Sequence, residues 1–260
     1  MSTVRLKSRL LKNNMVDYQA DDPLKLEKSK ASHRVFTNYN FISSDHMTKG
    51  DDLTIQLHVD KATNVMVHPT TPIHIKEDTG LEKAEQKIQL HVENEALFFW
   101  RMQEIIPEES SRFFQKTNIT LARDAELVWS EIFHVGTKEM KKPYQACQSL
   151  TEVWTEDDCI VYDNLYIDPS LDAIDQFGML ENFAYVATVW YIAKDIPFDE
   201  WDVQQRLSQA KNHRAGMSDL DGKGIVIRWL SHDLELLKQE MEDVLSFFDE
   251  KITEIRKWRN

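Results

Sequence analysis

A short motif repeats in the first half of the chain and limits the folds that the chain can adopt. The pentapeptide Ile-Gln-Leu-His-Val at 55–59 recurs unchanged at 88–92, an offset of 33 residues. A related segment at 119–122 begins 31 residues after the second copy. Further apolar segments follow the three copies at 62–67, 95–100 and 124–129. A period of about 32 residues is typical of stacked structural units.

Apolar and polar residues alternate within the first copy, with Leu53, Ile55 and Leu57 separated by Thr54 and Gln56. This period of two is typical of a half-buried β-strand. A unit of two short strands cannot bury its apolar face alone, so neighbouring copies must stack. The sequence therefore predicts a mainly β fold of stacked sheets in solenoid-like layers, with equivalent positions of successive copies aligned.

The rest of the chain extends this fold and adds a helical C-terminal region. The opening segment predicts a capping hairpin with a break near 13–14. Further strand patterns occur at 152–154, 159–162, 165–167 and 225–229, and 183–192 indicates either a buried strand or a short helix. Residues 199–211 have a helical composition, and apolar residues at gaps of three and four predict a helix over 231–258. We expect a single domain over 1–260, with the β-stack at about 1–192 and the helix-containing end at about 193–260.

Composition argues against several classes of partner. Lys plus Arg number 31 against 44 Asp plus Glu, and the resulting net charge of −13 repels phosphate backbones and anionic lipid. We therefore expect neither a nucleic-acid partner nor a membrane partner. Cys147 and Cys159 form no disulfide or metal-binding motif, which fits a reducing compartment. With no apolar leader or spanning segment, the sequence predicts a cytoplasmic protein.

Two histidines occupy equivalent polar positions in the first two copies of the repeat. Adjacent strands would place His58 and His91 about 4.8 Å apart. The simpler interpretation is that both side chains are solvated on the polar face of a strand. A metal site is the alternative.

Three acidic residues, Glu131, Glu152 and Asp163, lie within apolar strand-like segments. A carboxylate that is buried without a partner is expensive, so an inward-facing acid needs a partner or a function. Such acids neutralise a cation, hold water along a channel or act as a general acid and base. The alternative is that strand alternation places them on the outer surface.

Motifs for nucleophilic catalysis or phosphate binding do not occur in the sequence, which contains no Gly-x-Ser-x-Gly, P-loop or Gly-x-Gly-x-x-Gly. We therefore predict no catalytic residues. The alternative is a carbohydrate-active enzyme on a β-solenoid, with Glu131 and Asp163 as paired carboxylates and Trp129 and Trp154 as sugar platforms. A protein-interaction module without catalytic activity is a third possibility.

Several short motifs follow one another in a specific order along the chain. They lie at 49–53, 106–107 with 112–113, 127–136, 163–169 and 215–230. In this order they resemble the urease accessory protein D family, called H in some bacteria, over about 23–248. The segments 44–46 and 68–73, together with Asn182, depart from the family pattern and indicate a divergent member.

This resemblance implies a non-enzymatic urease maturation factor. Members of the family join accessory protein F, which recruits the GTPase accessory protein G, and the assembly docks on apo-urease. Nickel is thought to pass to the enzyme through an internal tunnel, so Ni²⁺ would be held transiently, with no tightly bound cofactor and no fixed ligand cluster. Under this resemblance Glu131, Glu152 and Asp163 line or anchor the tunnel.

The same resemblance assigns structural roles to five motif residues. They are Gly50, Asp51, Pro107, Asn164 and Arg228. Gly50 and Asp51 would hold the turn that precedes the first repeat.

Overall fold

The computed structural model describes residues 2–8, 16–20, 24–30, 33, 35–42, 46–76, 82–136, 143–156, 158–171, 176, 178–210 and 212–256. The first strands are β1 (Ser2–Ser8), β2 (Val16–Ala20), β3 (Lys25–Lys28), β4 (Thr37–Ile42), β5 (His46–Met47), β6 (Asp52–Val59), β7 (Asn64–Pro69), β8 (Ile73–Ile75) and β9 (Ala84–Val92). The next are β10 (Leu97–Pro107), β11 (Arg112–Leu121), β12 (Glu126–His134), β13 (Ala146–Trp154), β14 (Cys159–Ile167) and β15 (Tyr185–Ile192). The remaining elements are α1 (Glu200–Gln204), β16 (Gln209–Ala210), β17 (His213–Asp219), β18 (Gly224–Ser231) and α2 (Leu234–Arg256).

These strands form two sheets that face each other. The seven-stranded sheet has the order β14-β13-β11-β9-β6-β1-β2, and the eleven-stranded sheet has the order β16-β17-β18-β15-β12-β10-β7-β4-β3, with β5 and β8 beside it. Between β6 and β13 the chain passes back and forth between the sheets, and successive coils pair in parallel. The prediction of a mainly β, solenoid-like fold with a C-terminal helix is confirmed.

Each coil turns from the seven-stranded to the eleven-stranded sheet through a four-residue corner. A backbone hydrogen bond of 3.0–3.2 Å closes each corner, and the three bonds join Asp60 to Thr63, Glu93 to Ala96 and Ala122 to Ala125. Ala62 and Glu95 take left-handed conformations in the first two corners, with φ of 55° and 62°. Because the corners are sharp, each coil contributes one strand to each sheet, and the apolar faces of both strands point into the interior between the sheets.

The register of the coils confirms one predicted alignment and corrects another. Ile55 lies opposite Ile88, as the repeat predicts. In the third coil, however, Thr117 lies opposite Ile88 and Ile119 lies opposite Leu90, so the offset is 29 rather than 31 residues. A shift of two residues leaves every side chain on the same face of a strand. The apolar pattern therefore could not distinguish these two registers.

Several elements outside the repeat also match or correct the sequence analysis. The expected capping hairpin is present, since β1 pairs antiparallel with β2 and parallel with β6, although its expected break at 13–14 lies outside the described residues. Residues 185–192 form a strand, and α2 confirms the last helix within the described part of the chain. The helical composition of 199–211 predicts more helix than the structure contains, since the described part of this range forms the short α1 and then the strand β16. The strand β17 was not predicted.

Two hydrophobic cores hold these layers together. The first lies between the sheets and includes the fully buried rings of Trp100 and Trp129. The second packs α2, through residues such as Met241 and Phe248, against Ile227 on the outer face of the eleven-stranded sheet. Burying one such side chain contributes about 1.5–3 kcal/mol. Because β17 and β18 extend this sheet beyond β15, the described residues after 193 supply strands as well as helices.

Within the described residues, no helix has both the length and the apolar character needed to cross a lipid bilayer.

Candidate functional site

The interior between the two sheets contains a belt of polar side chains, which we call the polar layer. Its members are Gln86, Gln103, Gln115, Thr117, Glu131, Ser149, Thr151, Asp163 and Thr188. We call a row of residues in register across neighbouring strands a rung. Apolar rungs border the belt on both sides, with Phe113 and Phe133 on one side and Trp129 and Ile119 on the other. These polar groups extend from Gln86 and Gln103 to Asp163 within an otherwise apolar core.

Two adjacent rungs of the seven-stranded sheet supply one wall of the polar layer. In the first rung, Gln115 lies between Gln86 and Ser149. In the second, Thr151 lies between Thr117 and Asp163. Because β14 is the edge strand, Asp163 stands where this wall reaches the rim of the sheet.

One rung of the eleven-stranded sheet supplies the opposite wall. Glu131 pairs in register with Gln103 on β10 and with Thr188 on β15. Thr188 in turn lies opposite Arg228 on β18. This rung thus passes from a buried amide, through a carboxylate and a hydroxyl, to a guanidinium.

Glu131 lies at the centre of the polar layer and is 4% exposed. Its Oε1 accepts hydrogen bonds from Gln115 Nε2 at 2.7 Å and from Trp129 Nε1 at 3.1 Å. Burial raises the pKa of this carboxyl to about 7; the charge of Asp163 adds to the rise, and the hydrogen bonds from Trp129 and Gln115 oppose it. At neutral pH the group therefore lies close to the midpoint between its protonated and ionised forms.

Asp163 and Arg228 meet at the rim of the polar layer. The Asp163 carboxylate lies 2.8 Å from Arg228 Nη2, and the two side chains are 25% and 55% exposed. Arg228 reaches across from the eleven-stranded sheet to the edge strand of the other sheet. The ion pair therefore closes the rim with a side chain that is half in solvent.

Several buried atoms of the polar layer have no hydrogen-bond partner among the described residues. They are both polar side-chain atoms of Gln86, the Oε1 atoms of Gln103 and Gln115, and the hydroxyls of Thr117 and Thr151. Buried polar groups are nearly always hydrogen-bonded to protein or to ordered water. These groups are thus available to bind water or the hydration shell of a cation inside the sandwich.

Glu152 corrects the expectation that all three acids lie inside. The inward positions of β13 are Ser149, Thr151 and Val153, whereas Glu152 lies on the outer face. There its carboxylate is 3.3 Å from Lys116 Nζ, whose side chain is 50% exposed. Strand alternation therefore excludes Glu152 from the polar layer.

Gly50 and Asp51 form the turn before β6. Gly50 has a φ of +73°, a conformation that favours glycine, and donates a backbone hydrogen bond to the Lys83 carbonyl at 3.3 Å. The Asp51 carboxylate accepts from the backbone N and the hydroxyl of Thr48 at 2.7 and 3.0 Å. Both residues thus lie at a corner of the first coil and outside the polar layer.

Pro107 and Asn164 also lie away from the polar layer. Pro107 is buried at the end of β10, opposite Ile75 on β8. Asn164 is exposed on the outer face of β14 and accepts a hydrogen bond from Gln148 Nε2 at 2.9 Å. Of the five motif residues, Arg228 alone borders the polar layer.

The tryptophans considered as sugar platforms do not share a groove. Trp129 is 0% exposed and stacks on Trp100 at 4.9 Å between ring centroids. Trp154 is 44% exposed at the end of β13. A sugar ring cannot reach the buried indole, so the geometry does not favour the carbohydrate-active alternative.

Sequence analysis missed the three glutamines of the polar layer. Gln86 and Gln115 stand at positions where the alternation of their strands calls for inward apolar residues. The alternation of apolar and polar residues can be read from the sequence, and it could have identified both glutamines as inward-facing. Gln103 follows a register irregularity in β10, so its direction was not predictable from simple alternation.

Comparisons with known protein sequences identify the family of this chain. The family model described as UreD urease accessory protein matches residues 3–259. A urease accessory protein UreD from Sporosarcina pasteurii is 26% identical over 233 residues, covering 88% of this chain and 90% of the relative. One from Lysinibacillus sphaericus is 25% identical over 233 residues, covering 87% of each chain. A third, from Bacillus cereus, is 26% identical over 216 residues, covering 82% of this chain and 77% of the relative. Because the family model spans nearly the whole sequence, this chain belongs to the UreD family of urease accessory proteins.

Proposed function

We propose that this protein is a non-enzymatic urease maturation factor of the cytoplasm. It links accessory protein F, and through it the GTPase accessory protein G, to apo-urease. It conducts Ni²⁺ to the enzyme along the polar layer. Family membership supports the role in urease maturation, and the buried polar layer is the observation that carries the proposed nickel path.

The ligand chemistry of the polar layer suits passage of a cation rather than storage. Its donors are carboxylate, amide and hydroxyl oxygens, and none of its described members is a histidine or a cysteine. Imidazole and thiolate bind nickel more firmly than neutral oxygen donors do. Cys147 lies on the neighbouring rung, where burial raises the pKa of its thiol to about 12, so the thiol is neutral before any cation arrives.

Glu131 supplies an intermediate station on this path. With a pKa of about 7, its carboxyl exchanges a proton for an arriving cation at little cost and takes the proton back when the cation leaves. Gln115, which donates to the carboxylate at 2.7 Å, also has an unpartnered Oε1. The neighbouring amide can thus offer an oxygen ligand as the cation moves on.

Asp163 and Arg228 control one end of the path. Asp163 attracts a cation to the rim, while Arg228 occupies its carboxylate until the guanidinium swings into solvent. The 55% exposure of Arg228 makes this movement sterically simple. Glu152, which faces outward, has no part in the proposed path.

The nickel content of urease tests the proposed conduction. Apo-urease is activated with wild-type protein, Glu131→Ala, Asp163→Ala or Glu152→Ala, each with accessory proteins F and G, after size exclusion has verified assembly. We expect the two polar-layer variants to lower the nickel bound per urease active site several-fold, and the matched Glu152 control to leave it unchanged. Normal nickel loading with assembled Glu131→Ala and Asp163→Ala proteins would refute the conduction role.

The proposed link to accessory protein F has its own test. We expect the purified protein to co-elute with accessory protein F and to retain accessory protein G only when F is present. Separate elution of this protein and accessory protein F at concentrations up to tens of micromolar would contradict the proposed link, whatever the outcome of the nickel measurement.

A further inference from the structure

His58 and His91 form a stacked pair on the outer face of the seven-stranded sheet. They lie opposite each other on the parallel strands β6 and β9. Their ring centroids are 5.1 Å apart with an interplanar angle of 23°. The side chains are 33% and 42% exposed, so the pair is open to solvent.

Two carboxylates from adjacent corners converge on these rings. His58 Nε2 lies 3.0 Å from Asp60 Oδ1 and 3.7 Å from Glu93 Oε1. His91 Nε2 lies 3.1 Å from the same Glu93 oxygen. The repeat builds this cluster, because each histidine stands one residue before the end of its strand and each acid lies in the corner that follows.

We propose that His58, His91 and Glu93 bind one divalent transition-metal ion of the Zn²⁺ and Ni²⁺ class, with Asp60 or water as a fourth ligand. The donor atoms of the three principal residues all lie within 4.8 Å of one another. In a tetrahedral site with metal–nitrogen bonds of 2.0–2.1 Å, neighbouring ligand atoms are about 3.3 Å apart. The 3.1 and 3.7 Å separations to the Glu93 oxygen are close to that spacing.

The donor set favours a borderline metal over a hard one. Imidazole nitrogens suit zinc, nickel, copper and iron, whereas calcium and magnesium take oxygen ligands. In the absence of a metal the same atoms make histidine–carboxylate hydrogen bonds.

This site does not depend on the proposed nickel path. Inward and outward residues alternate along β9, so His91 lies on the opposite face of the sheet from Gln86. The site therefore neither lines the polar layer nor shares a ligand with it. A bound ion would also join β6 to β9 across the first two coils, and any ion that binds only the folded site stabilises the fold.

Calorimetric titration of the metal-free full-length chain with ZnCl₂, and separately with NiCl₂, tests the proposal. We expect one strong site for each metal, at least tenfold weaker binding in His58→Gln and in His91→Gln, and unchanged binding in His74→Gln. His74 is a matched control because its side chain is 37% exposed and lies 3.3 Å from Glu108, whose carboxylate is already engaged by Lys76 at 2.7 Å. Zn²⁺ should also raise the thermal unfolding midpoint of the wild type and the control, but not that of the two site variants.

Three outcomes would overturn the proposal. They are no binding by the wild type at hundreds of micromolar metal, undiminished binding by the folded His58→Gln, His91→Gln double variant, or an equal loss in His74→Gln. Glu131→Gln separates this proposal from the nickel path, since it should leave the titration unchanged. If Glu131→Gln abolished the strong site, the ion would reside in the polar layer and the surface site would be rejected.

Discussion

Asp163 on β14 and Arg228 on β18 form an ion pair of 2.8 Å that joins the edge of the seven-stranded sheet to the eleven-stranded sheet. The two residues are 65 positions apart in the chain and belong to strands that do not pair with each other. They meet because the rung containing Glu131 and Thr188 continues to Arg228 on β18, and the facing rung containing Thr151 ends at Asp163. The pair thus marks the place where the polar layer reaches the surface.

We expect Arg228→Gln to change the free energy of unfolding by less than about 1 kcal/mol, because exposed ion pairs are screened by solvent. Urea denaturation of wild type, Arg228→Gln, Asp163→Asn and the double variant gives the coupling energy of the pair directly. A coupling of several kcal/mol would show that the pair holds the two sheets together instead of forming a movable closure.

Glu131 predicts a specific dependence of stability on pH. Its pKa rises from an ordinary value of 4.5 to about 7 on folding, so the unfolded chain ionises this group more readily than the folded one. The stabilising effect of a neutral Glu131 is lost as pH rises through this interval, and the cost of the buried carboxylate is complete above about pH 7. Glu131→Gln removes this cost while keeping an oxygen to accept from Trp129 and Gln115.

We therefore expect the free energy of unfolding of Glu131→Gln, relative to that of the wild type, to rise by about 3 kcal/mol as the pH is raised from 4 to 8. Urea denaturation of both proteins at several pH values measures the difference. A stability difference that stays constant over this range would contradict the raised pKa. A trend of opposite sign would instead indicate that the carboxylate is stabilised in its ionised form.

Glu240 holds α2 to the eleven-stranded sheet and provides a third prediction. This residue is 4% exposed, and its Oε1 accepts from Trp229 Nε1 at 2.8 Å and from the Ser208 backbone N at 3.0 Å. His213 Nε2 lies 3.3 Å from its second oxygen. Removing the Glu240 carboxylate leaves the Trp229 and Ser208 donors unpaired, and at about 1–3 kcal/mol for each donor this costs about 2–6 kcal/mol in total.

We expect Glu240→Ala to lower the free energy of unfolding by about that amount, and Glu240→Gln to lower it less, because an amide oxygen still accepts from Trp229. Urea denaturation followed by tryptophan fluorescence measures both changes. Equal losses in the two variants would show that the charge next to His213, and not the hydrogen bond to Trp229, dominates this network.

Local patterns were sufficient to predict much of this architecture. The identical pentapeptides placed Ile55 and His58 on the same rungs as Ile88 and His91, because residues with the same environment recur at the same place in a stacked coil. The periodicity of three and four predicted α2 within the described residues, and Glu131 was identified as a carboxylate in an apolar strand. The ordered motifs were also enough to indicate the UreD family.

The remaining features depend on which strands become neighbours, and alternation alone does not decide this. A shift of two residues preserves the face of every side chain, so the pattern could not choose between offsets of 29 and 31 for the third coil. Glu152 and Asp163 look alike in the sequence, yet one pairs with Lys116 outside and the other with Arg228 at the rim. The sequence by itself determined the strand period, the coil repeat and the final helix, because these follow from short-range spacing. Only the tertiary structure brought the glutamines, Glu131 and Asp163 into one layer, because that layer forms between strands distant in sequence.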